Sequence, residues 1–126
     1  MSQKIDYDEF AAKVRKWSEE RLAVWWDGVD RPVTDPGRLS KLDYAVNAWR
    51  DLAKAEVKYA NSVDEHTQET AMRRAFTYES AAISMEIERR TSVAICTCHH
   101  FPFIDNMKWV AENQQLGEYG VGGKNL

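Results

Sequence analysis

Residues 65–94 read EHTQETAMRRAFTYESAAISMEIERRTSVA, and the spacing of their apolar residues predicts one long helix. At 100° per residue, one side of this helix collects an apolar stripe made of Met72, Ala75, Phe76, Ala82, Ile83, Val93 and Ala94. Glu79, Glu86 and Arg90 fall within the same sector. The side that faces the core is therefore predicted to carry charged groups as well as apolar ones.

Two further long helices are predicted before this stretch. Asp6 or Asp8 can cap a first helix that runs to about Asp27, and residues 39–61 carry the apolar spacing of a second. The connection at residues 62–64 is short, which is typical of antiparallel neighbours in a helical bundle.

The chain after residue 94 is predicted to end the third helix and add a short fourth. The third helix is expected to finish between Ile95 and His100, because Pro102 cannot continue it. Asp105 can cap a fourth helix over residues 105–116, and a glycine-rich arm follows. We predict an all-α fold with three long antiparallel helices, a short fourth helix and an extended Gly-rich C-terminal arm. Residues 1–117 would form a single helical-bundle domain and residues 118–126 a flexible arm.

Composition limits the classes of function. Hydrophobic residues make up 44% of the chain and charged residues 29%, values typical of a soluble globular protein. The formal net charge of −3 gives no basic surplus for binding phosphates, so a nucleic-acid partner is not expected. The sequence contains no run long enough to cross a membrane and no apolar leader at its N-terminus. A cytoplasmic location is predicted.

Three inward-facing carboxylates are the first candidate site. Glu56 on the second helix and Glu79 and Glu86 on the third lie on the core-facing stripes. One interpretation is an internal ion-pair network in which Arg21 bridges Glu79 and Glu86 and Arg90 completes the set. The alternative is an all-α metal-dependent phosphohydrolase that holds magnesium with the same carboxylates. Their offset along the helices, about 10 Å between neighbours, favours the network.

A cluster near the end of the third helix is the second candidate site. Cys96, Cys98, His99 and His100 are all zinc-ligand types, but four ligands within five residues cannot easily surround one ion. These residues are weak candidates for a metal site, and a helix terminus with small thiols is the competing interpretation. No cofactor is predicted.

The third candidate is a contact surface for another protein. Leu22 and Trp26 lie on the side of the first helix opposite its main stripe, and adjacent tryptophans such as Trp25 and Trp26 cannot both face one core. The C-terminal arm could add Tyr119 and Val121 to the same surface.

These patterns favour a small intracellular protein that is not an enzyme. It would act through protein–protein interaction, either by self-assembly as a homo-oligomer or by binding a larger protein partner. A helical core with an extended arm is similar in outline to small phage assembly proteins, such as head-to-tail adaptors, and to small inhibitor proteins that bind host machinery. That resemblance is one of architecture and involves no motif.

Overall fold

The computed structural model describes residues 4–24 and 26–94. This described part is all-helical, as predicted, and contains three helices and no strand. Helix α1 spans Tyr7–Leu22, α2 spans Pro36–Ala60 and α3 spans Glu65–Thr91. The predicted fourth helix and C-terminal arm lie outside the described residues.

Each helix begins at an aspartate that caps its first turn. The carboxylate accepts a hydrogen bond from the backbone N–H three residues further on, which satisfies a donor that the helix itself leaves free. The caps are Asp6, Asp35 and Asp64, with bonds of 2.9, 2.8 and 2.8 Å. Helix α2 starts three residues earlier than predicted because Pro36 occupies its first position, where a missing N–H costs nothing.

The α1–α2 linker holds the C-terminal end of α3. The Val33 N–H donates to the Arg89 carbonyl at 3.0 Å, and the Ser92 hydroxyl donates to the Arg31 carbonyl. Ser92 adopts a left-handed conformation with φ of 62°, so α3 ends at Thr91. The predicted end between Ile95 and His100 is therefore wrong. Helix α1 also ends early, at Leu22 rather than near Asp27.

The three helices run up, down and up. Residue numbers rise along α2 as they fall along α3, since Arg38 pairs with Glu88 and Glu56 pairs with Arg74. Helix α1 runs parallel to α3, since its contacts with α3 advance from Tyr7 with Glu79 to Glu19 with Arg90. The up-down-up arrangement places α1 beside α3, opposite in direction to α2.

The core lies where α1 and the inner side of α2 meet α3. Trp17 of α1 packs edge to face on Phe76 of α3, with ring centroids 4.8 Å apart. Leu22 belongs to this core and has 0% of its surface exposed. Because a residue with no exposed surface cannot contact another chain, Leu22 must be removed from the predicted interface.

The chain before α1 is fastened to the end of α2. Asn61 accepts a hydrogen bond from the Ile5 N–H at 2.7 Å and donates one to the Ile5 carbonyl at 2.8 Å. The paired bonds bury Ile5 and fix the start of α1 beside the C-terminal end of α2.

Candidate functional site

Glu79 lies at the centre of a charged cluster between the three helices. Its side chain is 1% exposed, and each of its two carboxylate oxygens has a partner. The Tyr7 hydroxyl of α1 donates to Oε1, and the Arg50 guanidinium of α2 lies 3.4 Å from Oε2. The carboxylate therefore ties α3 to both other helices.

Glu86 lies two turns further along α3 and shares the same arginine. Arg50 donates to Glu86 Oε1, while Arg15 of α1 donates to both oxygens of Glu86, at 3.1 and 3.0 Å. Five side chains, Tyr7, Arg15, Arg50, Glu79 and Glu86, thus form one connected set, which we call the central cluster. Two arginines balance two carboxylates within it.

Two members of the central cluster, Arg50 and Tyr7, have pKa values shifted by their surroundings. Burial disfavours the charge on Arg50, but its hydrogen bond to Glu86 and the charges of Glu86 and Glu79 outweigh that effect and raise its pKa. Burial, followed by the hydrogen bond to Glu79, raises the pKa of Tyr7 well above its usual value. Tyr7 therefore remains a neutral donor throughout the physiological range.

The raised pKa of Tyr7 predicts a loss of stability at alkaline pH. Unfolded Tyr7 loses its proton near pH 10, whereas the folded chain keeps it to higher pH. The stabilisation by Tyr7 is therefore complete below about pH 10 and falls as the pH rises further. Urea unfolding of the parent and of Tyr7→Phe should show a stability difference that is constant from pH 7 to 9 and shrinks above pH 10.

The exposed Tyr44 supplies the matched control for this titration, since it is 77% exposed. Tyr44→Phe removes a hydroxyl from an exposed ring, so its stability should lie close to that of the parent in the same measurement. A Tyr7→Phe difference that stayed flat to pH 11 would contradict the proposed role of the hydroxyl.

The structure changes the partners predicted for these carboxylates. Arg50, and not Arg21, bridges Glu79 and Glu86. Arg21 instead lies over the indole of Trp17, 4.3 Å from its centroid, and donates to the Trp17 carbonyl. Tyr7 pairs with Glu79 and Glu19 pairs with Arg90, so Arg21, near the end of α1, lies beyond the level of both carboxylates.

Glu56 and Arg90 lie outside the central cluster. Glu56 receives two hydrogen bonds from Arg74, at 2.9 and 3.0 Å, at the surface between α2 and α3. Arg90 pairs with Glu19 at 3.3 Å and covers the Trp26 ring at 5.0 Å from its centroid. The predicted single network is thus one central cluster and two separate surface pairs.

The position of Arg50 had a signal in the sequence. Pairing α2 with α3 about a turn near Asp64 places residues 49 and 50 level with residues 78 and 79. Trp49 stacks on Tyr78, with centroids 5.7 Å apart, which leaves Arg50 to point toward Glu79. A wheel locates each residue by angle but not by the reach of a long side chain, so Arg50 was missed.

The central cluster is better suited to holding helices together than to binding a metal ion. Every carboxylate oxygen of Glu79 and Glu86 already contacts an arginine or tyrosine. Within residues 4–24 and 26–94, no group of three His, Cys, Asp or Glu side chains is placed to hold a metal ion. The weak zinc candidates Cys96, Cys98, His99 and His100 lie outside the described residues.

The side of α2 that faces away from α3 carries a second, uncharged feature. Ala45, Ala48, Leu52, Ala55 and Tyr59 form an apolar row along it, which we call the outer face of α2. Leu52 is 47% exposed and Tyr59 is 45% exposed, and Tyr44 lies at the edge of the row. Buried residues such as Leu42, Ala53 and Val57 occupy the opposite side. Helix α2 is therefore apolar on both sides, and the described residues of the chain cover only one of them.

An open depression of about 460 Å³ lies beside the N-terminal end of α1. Lys4, Lys54 and Lys58 line it together with Tyr7 and Asn61. Lys54 lies 5.5 Å from the centroid of the Tyr7 ring. The three lysines give the depression a local positive charge.

Comparison of the chain with protein-family models, with curated proteins and with solved structures found no match. None of the described helices is long and apolar enough to cross a lipid bilayer.

Proposed function

We propose that this protein acts by binding protein chains, and that the outer face of α2 is its contact surface. The observation that carries the proposal is the exposure of Leu52 and Tyr59 on a helix whose opposite side already fills the core. Exposed apolar rows on a helix are a common means of helix-to-helix recognition. Aromatic and aliphatic side chains in such a row supply most of the binding energy of an interface.

The central cluster supports this proposal over a catalytic one. Its carboxylates are saturated by arginines and by Tyr7, so they serve to fix the three helices. A rigid frame lowers the entropy that a contact surface loses on binding. Trp26 is half-buried and remains a predicted member of a second contact surface. The other predicted members of that surface lie outside the described residues and stay predictions: Trp25, Tyr119 and Val121.

The test compares two variants that add the same charge to different helices. Leu52→Glu places a carboxylate in the outer face of α2, and Ala12→Glu places one on the exposed side of α1. Tagged parent and variant chains would be purified from the cells that make the protein, and specific co-purifying chains would be identified by mass spectrometry. Purified components would then be mixed to measure affinity.

We expect Leu52→Glu to weaken binding of the identified chain, or of the protein to itself, by at least about tenfold, because a buried unpaired carboxylate opposes association. Ala12→Glu should bind like the parent. Equal binding by the parent and Leu52→Glu would contradict the proposal, and selective loss in Ala12→Glu would transfer it to α1.

A further inference from the structure

We infer that the outer face of α2 pairs with the same face of a second copy of this chain, with the two α2 helices antiparallel. This inference rests on the proposed function and names its partner. It follows from the residue spacing of the outer face, from the sizes of its side chains and from the charges along its edges.

The spacing of the outer face matches that of a two-helix coiled coil. Its five residues, Ala45, Ala48, Leu52, Ala55 and Tyr59, are separated by steps of three, four, three and four along the chain. Apolar residues at alternating steps of three and four form the seam of a coiled coil. The other side of α2 is already in contact with α3 of the same chain, through core side chains and ion pairs such as Arg38 with Glu88 and Glu56 with Arg74.

The side-chain sizes favour an antiparallel pairing in one register. If Leu52 lies opposite Ala55 of the second copy, a two-fold axis also places Tyr59 opposite Ala48 of that copy. Each large side chain then meets a small one, which lets the two helices approach closely and fill the space between them. The same residues serve on both copies, as a two-fold interface requires.

The charges at the edge of the outer face support the same register. Tyr44, Asp51 and Lys58 recur every seven residues along one edge. In the antiparallel register the same edges of both copies meet, and Asp51 lies about 3 Å along the axis from the level of Lys58 of the second copy. Neither Asp51 nor Lys58 forms an ion pair with any residue in the described ranges. Pairing between copies would supply a partner for both.

Other pairings of the same face bring like charges together. A parallel pair would place the edge containing Asp51 against the opposite edge of the second copy, where Glu56 lies five residues further on. An antiparallel pair shifted by one heptad would place Asp51 against Asp51. Like charges at such positions oppose association, so the proposed register is the one that the charges allow.

The length of the row sets the expected strength of the dimer. Fifteen residues of helix extend about 22 Å, a contact shorter than those of most permanent dimers. We therefore expect a reversible dimer whose proportion rises with concentration.

The first measurement is molar mass by light scattering over a range of concentrations. The parent chain, of 14.5 kDa, should approach twice that mass as concentration rises. Leu52→Glu should stay at the mass of one chain, and Ala12→Glu should behave like the parent. Asp51→Lys and Lys58→Asp should each weaken the dimer about fivefold, and the double variant should restore it, because both pairs are reversed together.

The second measurement fixes direction and register by cysteine cross-linking. In a Cys96→Ser, Cys98→Ser background, a chain with Ala48→Cys would be mixed with a differently tagged chain with Tyr59→Cys. The proposed register brings residue 48 opposite residue 59, so mild oxidation should link the two different chains. A parallel dimer would instead link residue 48 to itself and residue 59 to itself, and that outcome would overturn the antiparallel arrangement.

Two outcomes separate this inference from the proposed function. A parent that remains a single chain at all concentrations, while Leu52→Glu still loses a different bound protein, would overturn self-pairing and leave the proposed function standing. A parent that remains a single chain and binds the same proteins as Leu52→Glu would overturn both self-pairing and the proposed function.

Discussion

Replacing Arg50 with methionine should lower the free energy of unfolding by about 3–5 kcal/mol, the usual cost of leaving a buried charge without its partner. Glu79 is 1% exposed and would keep only its hydrogen bond from Tyr7. Glu86 would keep Arg15 but lose the link to Glu79. Thermal melting should fall by more than about 10 °C, as measured by circular dichroism.

Arg89→Met is the matched control for the Arg50 variant. Arg89 also joins α3 to α2, through a 2.8 Å contact with Asp43, but both side chains are half-exposed. An exposed pair of this kind contributes less than about 1 kcal/mol, so this variant should melt close to the parent. Combining Arg50→Met with Glu79→Gln should recover part of the stability, because the amide carries no charge and still accepts from Tyr7. Arg50→Met melting like Arg89→Met would contradict the buried cluster.

Phe76→Ala is expected to cost about 3–5 kcal/mol, because it opens a cavity at the centre of the core. Phe76 has no exposed surface and contacts Trp17 edge to face. Since small domains are stable by only about 5–15 kcal/mol, this one change could remove much of the total. Urea unfolding followed by tryptophan fluorescence would measure it.

Leu52→Ala distinguishes a core truncation from one on the outer face of α2. It also shortens a large apolar side chain, but at a position that is 47% exposed. At a concentration where the chain is a single copy, it should cost less than about 1 kcal/mol. Equal losses from Phe76→Ala and Leu52→Ala would mean that the outer face is covered by the chain itself.

Local sequence chemistry anticipated the helices well. Capping preferences predict Asp6 or Asp8 at the start of α1, and loop length predicts a short connection at residues 62–64; the structure has the cap at Asp6 and begins α3 directly after Asp64. The inward placement of Glu79, which is 1% exposed, follows from helical angle alone. Glu86 is 31% exposed and contacts Arg15 and Arg50. These features depend on neighbours within a few residues, which is the range over which spacing rules apply.

The features that could not be predicted from the sequence depend on contacts between residues far apart in the chain. Arg50 was missed because the reach of its guanidinium is set by how α2 and α3 pack, not by its angle on a wheel. Leu22 is predicted at the surface because its helical angle puts it opposite the main stripe of α1, whereas the structure buries it in the core. The end of α3 is decided by Val33 and Arg31, residues about 60 positions away.

The contacts between α2 and α3 join residues that are much closer in sequence than the contacts between α1 and α3. Arg50 and Glu79 of the α2–α3 hairpin are separated by 29 positions, whereas Arg15 and Glu86 are separated by 71. Closing a longer loop costs more entropy, so the hairpin can form before α1 docks on it. The last helix to arrive is also the first expected to detach, and Glu79 would then lose the Tyr7 hydroxyl while Arg50 remained beside it. Detachment of α1 therefore does not leave Glu79 without a counter-charge, because Arg50 of the α2–α3 hairpin still pairs with it.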